Sequence, residues 1–236
     1  MADPVPYGRE DAAAQPPLSF AQFKASVVRA PASAPVRVPQ TLTETTGPSG
    51  EGVWERLMGP AVADLTRQHS GTPLGERIVV SGRVLDENGR PIPNTMIEIL
   101  QANTAGRYVH HYDQHDAPLD PNFTGAGRVI TDHEGRYRFI TIKPGAYPWY
   151  NNRNAWRPAH IHFSLMGSAF ANRLITQMYF PGDPLFALDA IANAVPEAAR
   201  DRIVARFDME TTEPFWALGY RFDFVLRGRN ATPMES

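Results

Sequence analysis

Seven short segments between residues 76 and 227 read as strands, with turn residues between them. No other feature constrains the fold as tightly. A strand sends successive side chains to opposite faces, so alternation with period two buries one face and wets the other. In the clearest segment, Tyr220, Phe222, Phe224 and Leu226 alternate against Arg221, Asp223 and Arg227. The other six are Ile78 to Leu85, Met96 to Leu100, Arg128 to Thr131, Tyr137 to Ile142, His160 to Met166 and Leu174 to Phe180. Asp132-His133-Glu134-Gly135 predicts a hairpin between the third and fourth strands. Short strands broken by Gly, Pro and Asn turns predict an all-β fold, an antiparallel two-sheet sandwich over residues 76–236. One further helix is expected from about Glu197 to Phe207, after Pro196, with Ile203, Val204 and Phe207 on its apolar side.

Residues 1–75 have a different character, rich in Pro, Ala, Ser, Thr and Gly. Phe20, Phe23 and Val27 recur at helical spacing, and Thr41 to Gly52 reads as turn and loop. Nothing there builds a core of its own. Scattered apolar residues in so long an extension predict an arm that wraps over another surface, on its own domain or on a partner subunit.

Composition then narrows the chemistry. A formal net charge of -2 gives no basis for a nucleic-acid or anionic-membrane partner. The chain has no cysteine, which excludes disulfides, thiolate metal sites and a Cys nucleophile. Any metal is therefore held by nitrogen and oxygen. No apolar run approaches the roughly 18 residues of a membrane span, and Met1-Ala2-Asp3-Pro4 does not open a signal peptide. The expectation is a cytoplasmic protein.

His160 and His162 lie two apart on one predicted strand and share a face, while Ile161 and Phe163 fill the other. Two imidazoles on a rigid strand can bind one metal ion with little ordering cost; two ordinary strand histidines are the competing reading. Tyr108, after Gly106-Arg107, and Tyr147, within Pro144-Gly145-Ala146-Tyr147-Pro148-Trp149, sit where loops meet strand ends. A free phenol ionises near pH 10 and is a poor ligand at neutrality, unless a hard trivalent cation stabilises the phenolate. Two phenolates and two imidazoles suit Fe(III) better than Zn(II) or Mg(II). Spacing alone does not bring the four together, and loop aromatics packed on the sandwich remain the alternative. Arg157, three residues before His160, either stabilises negative charge on a substrate or pairs with a structural carboxylate. His110, His111 and His115, with Asp113 and Asp116, read as a polar loop, and His69 and His133 as surface residues.

Trp156-Arg157-Pro158-Ala159-His160-Ile161-His162-Phe163, followed by Thr176-Gln177-Met178-Tyr179-Phe180 and Gly182-Asp183-Pro184, resembles the intradiol ring-cleaving dioxygenases. The similarity is strongest to the protocatechuate-cleaving members. It includes Glu44-Thr45-Thr46-Gly47-Pro48, Gln101-Ala102-Asn103, Ala117-Pro118-Leu119-Asp120-Pro121-Asn122-Phe123 and Tyr220-Arg221-Phe222-Asp223, across roughly residues 20 to 229. The resemblance implies a transthyretin-like Greek-key sandwich and a mononuclear non-haem Fe(III) held by Tyr108, Tyr147, His160 and His162. It implies that a catechol-type substrate chelates the iron, displacing Tyr147, and that O2 opens the ring between its hydroxylated carbons. For protocatechuate the product is 3-carboxy-cis,cis-muconate. Arg157 would stabilise charge on the ketonised ring, and Trp149, Gln177 and Tyr179 would shape the pocket. The partner implied is a homologous alpha chain without iron ligands, in alpha-beta multimers.

Three rival readings differ in what they require. Catechol or hydroxyquinol dioxygenases share the ligands but carry a helical N-terminal linker domain, whereas this chain has one short helical segment there. A non-catalytic transthyretin-like module needs neither the His pair nor Tyr108. A cupin-type metalloenzyme also has His-x-His on a strand, but Ser164-Leu165-Met166-Gly167 stands here where a cupin places its Glu.

Overall fold

The computed structural model describes residues 12–36, 61–166 and 173–235. Strand β1 (Arg77–Leu85) is the spine of the first sheet, and its Ile78-Val79-Val80 run has the β-branched side chains that favour an extended backbone. Two further strands of the chain are β2 (Met96–Leu100) and β3 (Ala126–Ile130). On one side β1 pairs antiparallel with β4 (Arg136–Ile142). A short hairpin, β5 (Tyr147–Trp149) and β6 (Ala155–Arg157), precedes β7 (His160–Met166) and β8 (Arg173–Tyr179). The last strands are β9 (Arg206–Phe207), β10 (Leu218–Arg221) and β11 (Phe224–Val225). Both β10 and β11 run parallel to β1. The second sheet has the order β3-β2-β7-β8 and is antiparallel throughout.

The two sheets share one core. Val80, Val84, Tyr137, Phe139, Phe222 and Phe224 meet Ile97, Ile99, Ile161, Phe163, Leu165 and Met178 across it. Phe163 lies 5.9, 6.0 and 5.1 Å, centroid to centroid, from Phe139, Phe222 and Phe224. Burying each such ring contributes about 1.5–3 kcal/mol, so the inner face of β7 is firmly held and its outer face can carry a site.

The fold is mostly β, as expected, with four departures in detail. First, the sandwich is not wholly antiparallel, because β1 takes β10 and β11 in parallel. Second, the Asp132–Gly135 turn forms, with Gly135 N–H donating to Asp132 O, yet it joins strands of different sheets rather than a hairpin. Third, the last strand is broken: Asp223 turns its side chain to Arg83 N–H at 2.8 Å, replacing a ladder bond between β10 and β11. Fourth, the expected helix to Phe207 is a 3-10 run, Glu197–Ile203. Ala205 N–H then bonds Tyr179 O, and the chain leaves the helix to pair beside β8.

Helix α1 (Lys24–Arg29) overlaps the helical segment expected over Phe20 to Val28, while α2 (Ala190–Ala194) was not foreseen. The described parts of the arm pack on their own sandwich. Leu65 is fully buried in the main core, Val62 and Asp64 bridge to Arg128 and Ile140, and Phe23 packs on Trp149 at 5.4 Å. Much of the arm, residues 1–11 and 37–60, lies outside the described residues. Among the described residues no helix is long and apolar enough to cross a membrane.

Candidate active site

The site stands on the outer face of β7. With Ile161 and Phe163 turned into the core, His160 and His162 project together from the opposite face, as the alternation requires. Tyr147 opens β5 and is registered directly across from Arg157 on β6. Tyr108 arrives on the loop after β2. That loop is anchored by Asn103, whose Oδ1 accepts from Ala105 and Arg107 N–H. Gly106 sits at φ +77°, with Ala146 O only 2.1 Å from where a Cβ would be. Only glycine allows that approach. It brings the Tyr108 ring edge-on to Tyr147 at 5.4 Å.

The four side chains converge. His160 Nε2 lies 3.2 Å from His162 Nε2 and 3.3 Å from the Tyr147 hydroxyl, and the Tyr108 and His162 rings are 6.2 Å apart. Outer partners assign the protons. His160 Nδ1 is 2.7 Å from Pro158 O, so it carries the hydrogen and donates. His162 Nδ1 faces a Glu235 carboxylate oxygen at 3.2 Å and donates likewise. Each Nε2 is then left with its lone pair directed into the same small space. The Tyr108 hydroxyl is buried there, with no hydrogen-bond partner among the described residues.

Electrostatics favour the neutral forms of His160, Tyr108 and Tyr147. Burial holds His160 well below the usual histidine range, with the charges of Arg157 and His162 acting in the same direction. Burial pushes the Tyr108 phenol well up, and a charge on Tyr147 would push it further. Tyr147 is also raised by burial, with Arg157 opposing. Facing lone pairs and an unpartnered buried hydroxyl are unfavourable on their own. A hard cation would relieve all of them, taking two imidazole nitrogens and two phenol oxygens as donors. Among the described residues no three His, Asp or Glu side chains come together as a metal site, so a four-donor set here needs the phenols.

Arg157 pairs with a structural carboxylate and also reaches the His-Tyr cluster. Its Nε and Nη2 donate to Asp189 Oδ2 at 3.1 and 2.8 Å, a fully buried ion pair. Nη1 points the other way, 3.1 Å from His160 Nε2 and 3.5 Å from the Tyr147 hydroxyl. Gln177 and Tyr179 lie beneath it and accept from Nη2, and Trp149 stacks on the guanidinium at 5.6 Å. A cavity of about 530 Å³ opens alongside and is lined by His162, Glu235, Leu100 and Ile175, not by these three residues.

Sequence reasoning missed Asp189 and Glu235. Asp189 did carry one local signal, since it precedes the Ala190–Ala194 helix and caps it through Ile191 N–H at 2.8 Å. His110, His111 and Tyr112 form an exposed stack on the surface, with adjacent rings 4.8 and 3.9 Å apart, as a polar loop would.

Comparison with known proteins now decides the family. A family described as dioxygenase matches residues 52–228. The protocatechuate 3,4-dioxygenase beta chain of Burkholderia cepacia is 56% identical over 237 residues, covering 100% of both chains. The chain belongs to the intradiol dioxygenases. A protocatechuate 3,4-dioxygenase alpha chain of Burkholderia cepacia is 29% identical over 199 residues, 82% of this chain and 95% of that one. Among solved structures, catechol 1,2-dioxygenase from Pseudomonas arvilla C-1 aligns with a TM-score of 0.53 at 29% identity. It covers 72% of this chain and 59% of its own. As an intradiol dioxygenase this protein is an enzyme, and its outward-facing His-Tyr cluster is the natural place to seek the chemistry.

Proposed function

We propose that this chain is the iron-bearing subunit of a protocatechuate 3,4-dioxygenase. It would cleave 3,4-dihydroxybenzoate with O2 between the hydroxylated carbons, giving 3-carboxy-cis,cis-muconate. The observation that carries this reading is the meeting of two imidazole Nε2 atoms, 3.2 Å apart, with the Tyr147 and Tyr108 hydroxyls. Full-length identity to a protocatechuate-cleaving relative supports the substrate.

Tyr108, Tyr147, His160 and His162 would hold a mononuclear Fe(III). When bound, the ion supplies Lewis acidity toward the two oxygens of a catechol and the redox partner through which O2 reacts. Tyr147, on the short β5 hairpin rather than in a large sheet, would accept a substrate proton. Arg157, locked by Asp189, directs Nη1 at the centre and stabilises negative charge as the ring loses aromaticity. Trp149 covers the guanidinium and limits its access to water. Gln177 and Tyr179 act through Arg157 by fixing its plane, besides shaping the pocket.

A homologous alpha chain completes the assembly in alpha-beta multimers, with the 1–75 arm at their contact and 76–236 as the catalytic domain. We read the sandwich as the Greek-key, transthyretin-like type, which the Asp132–Gly135 crossing between sheets supports. A cytoplasmic location fits a chain without cysteine. The test is a visible spectrum of the chain co-produced with its alpha partner. A broad tyrosinate-to-iron charge-transfer band, shifted by anaerobic protocatechuate, is expected. A colourless, iron-free protein would refute the reading.

A further inference from the structure

The segment Ala231–Glu235 lies far in sequence from the strand it serves. It is strapped down at almost every residue. Thr232 exchanges hydrogen bonds with Val225, through its N–H to the carbonyl at 2.8 Å and its hydroxyl from the N–H at 2.9 Å. The Thr176 hydroxyl donates to Pro233 O at 2.7 Å. Met234 N–H donates to the Gln15 side chain at 2.8 Å, and Glu235 N–H to Ile175 O at 2.8 Å. Ala231 and Thr232 are buried. Such anchoring exceeds what an exposed tail requires, and its result is one carboxylate delivered to His162 Nδ1 at 3.2 Å.

We propose that Glu235 is a positioning residue for the metal centre, and that the 231–235 strap exists to hold it there. The inference rests on the ferric reading above. His160 takes its tautomer from a backbone carbonyl, Pro158 O, which is a fixed part of its own chain turn. His162 has no such neighbour among the described residues and takes its tautomer from Glu235, 73 positions away. A carboxylate behind an imidazole does three things. It keeps the proton on Nδ1, fixes the ring about its bonds to the backbone, and makes Nε2 a stronger donor. The two histidines are therefore not equivalent: His160 is set by a local carbonyl, and His162 by a charged residue that arrives only when the strap docks.

The experiment compares wild type, Glu235→Gln and Glu235→Ala, each as the full chain co-produced with its alpha partner. Iron loss to a ferric chelator is followed through the visible band, and thermal unfolding is measured on the iron-free form. Partners of this kind affect metal affinity about 10–100-fold, so Glu235→Ala should release iron faster by a factor in that range, with a shifted band. Glu235→Gln, which keeps an acceptor oxygen without the charge, should fall between. The iron-free unfolding midpoint should stay at the wild-type value. Wild-type iron loss and an unmoved band in Glu235→Ala would overturn the proposal. So would a lowered iron-free midpoint with unchanged iron retention, because the strap would then be merely structural. A wild type that holds no iron would instead refute the ferric reading and this inference with it.

Discussion

Asp189 holds two parts of the protein with one carboxylate, and its removal should be costly in a way that can be divided. Oδ2 accepts two bonds from Arg157, at 3.1 and 2.8 Å, and Oδ1 accepts the Ile191 N–H that starts α2, at 2.8 Å. The side chains of Arg157 and Asp189 are 3% and 0% exposed, so water cannot take over from a missing partner. Breaking a buried pair from one side costs about 3–5 kcal/mol, because the surviving charge stays buried. Loss of the N-cap adds about 1 kcal/mol. Asp189→Ala should therefore lose about 4–6 kcal/mol, a large share of the roughly 5–15 kcal/mol that keeps a domain folded. Asp189→Asn can still cap the helix with its amide oxygen, so it should recover only the smaller part. Urea unfolding of the three proteins reads the difference as a midpoint shift at constant slope. If Asp189→Ala costs only about 1 kcal/mol, or Asp189→Asn matches wild type, the cap is the whole effect. The Arg157 charge would then not depend on Asp189, and the orientation argument for Arg157 would fail.

Three further outcomes follow from the site and the core. His160→Ala and His162→Ala should each purify without iron, and metal analysis showing full occupancy in either would contradict the ligand assignment. Tyr147→Phe should keep iron but change the visible band and slow substrate binding in stopped-flow traces; unchanged traces would remove Tyr147 as the departing base. Burial, with the nearby Asp223 charge adding to it, holds the Tyr137 phenol well above its ordinary value of 10.0. The folded protein thus keeps a proton that the unfolded chain gives up. This contribution is intact below pH 10 and should be lost as pH rises above it. Tyr137→Phe should flatten that alkaline fall in the urea midpoint, and an identical slope would show the destabilisation to lie elsewhere.

The extent to which the sequence foretold this structure differs from element to element. Strands β2 and β7 were legible to the residue, because His160–Met166 alternates and neither it nor the mostly apolar Met96–Leu100 carries glycine or proline. The Asp132–Gly135 turn was legible as a reversal but not as a change of sheet. Its Asx-type bonds, Asp132 Oδ1 to Glu134 and Arg136 N–H at 2.8 Å, are satisfied within the turn whichever sheet receives the next strand. The break after Arg221 was hidden because Phe222 and Phe224 keep the core alternation through it. At the site, the His pair followed from local periodicity, whereas bringing in the tyrosines needed the family resemblance. Asp189 and Glu235 lie 32 and 73 positions from the side chains they orient, and a single carboxylate at such distance leaves no periodic trace.

The parallel pairing of β1 with β10 and β11 also sets an order of events during synthesis. Arg83 on β1 meets Asp223 across 140 positions of chain. When β4 has emerged from the ribosome, one side of β1 can be zipped, but its other side waits for residues 218–225. At about 5–20 residues per second, translating the roughly 80 residues from the end of β4 takes several seconds. For that interval the nascent sheet presents an open row of peptide groups flanked by Val79 and Val80, a template onto which a neighbouring nascent chain could pair wrongly. Slowing translation between codons 142 and 218 should therefore increase aggregation of newly made chains while leaving the stability of the finished protein unaltered.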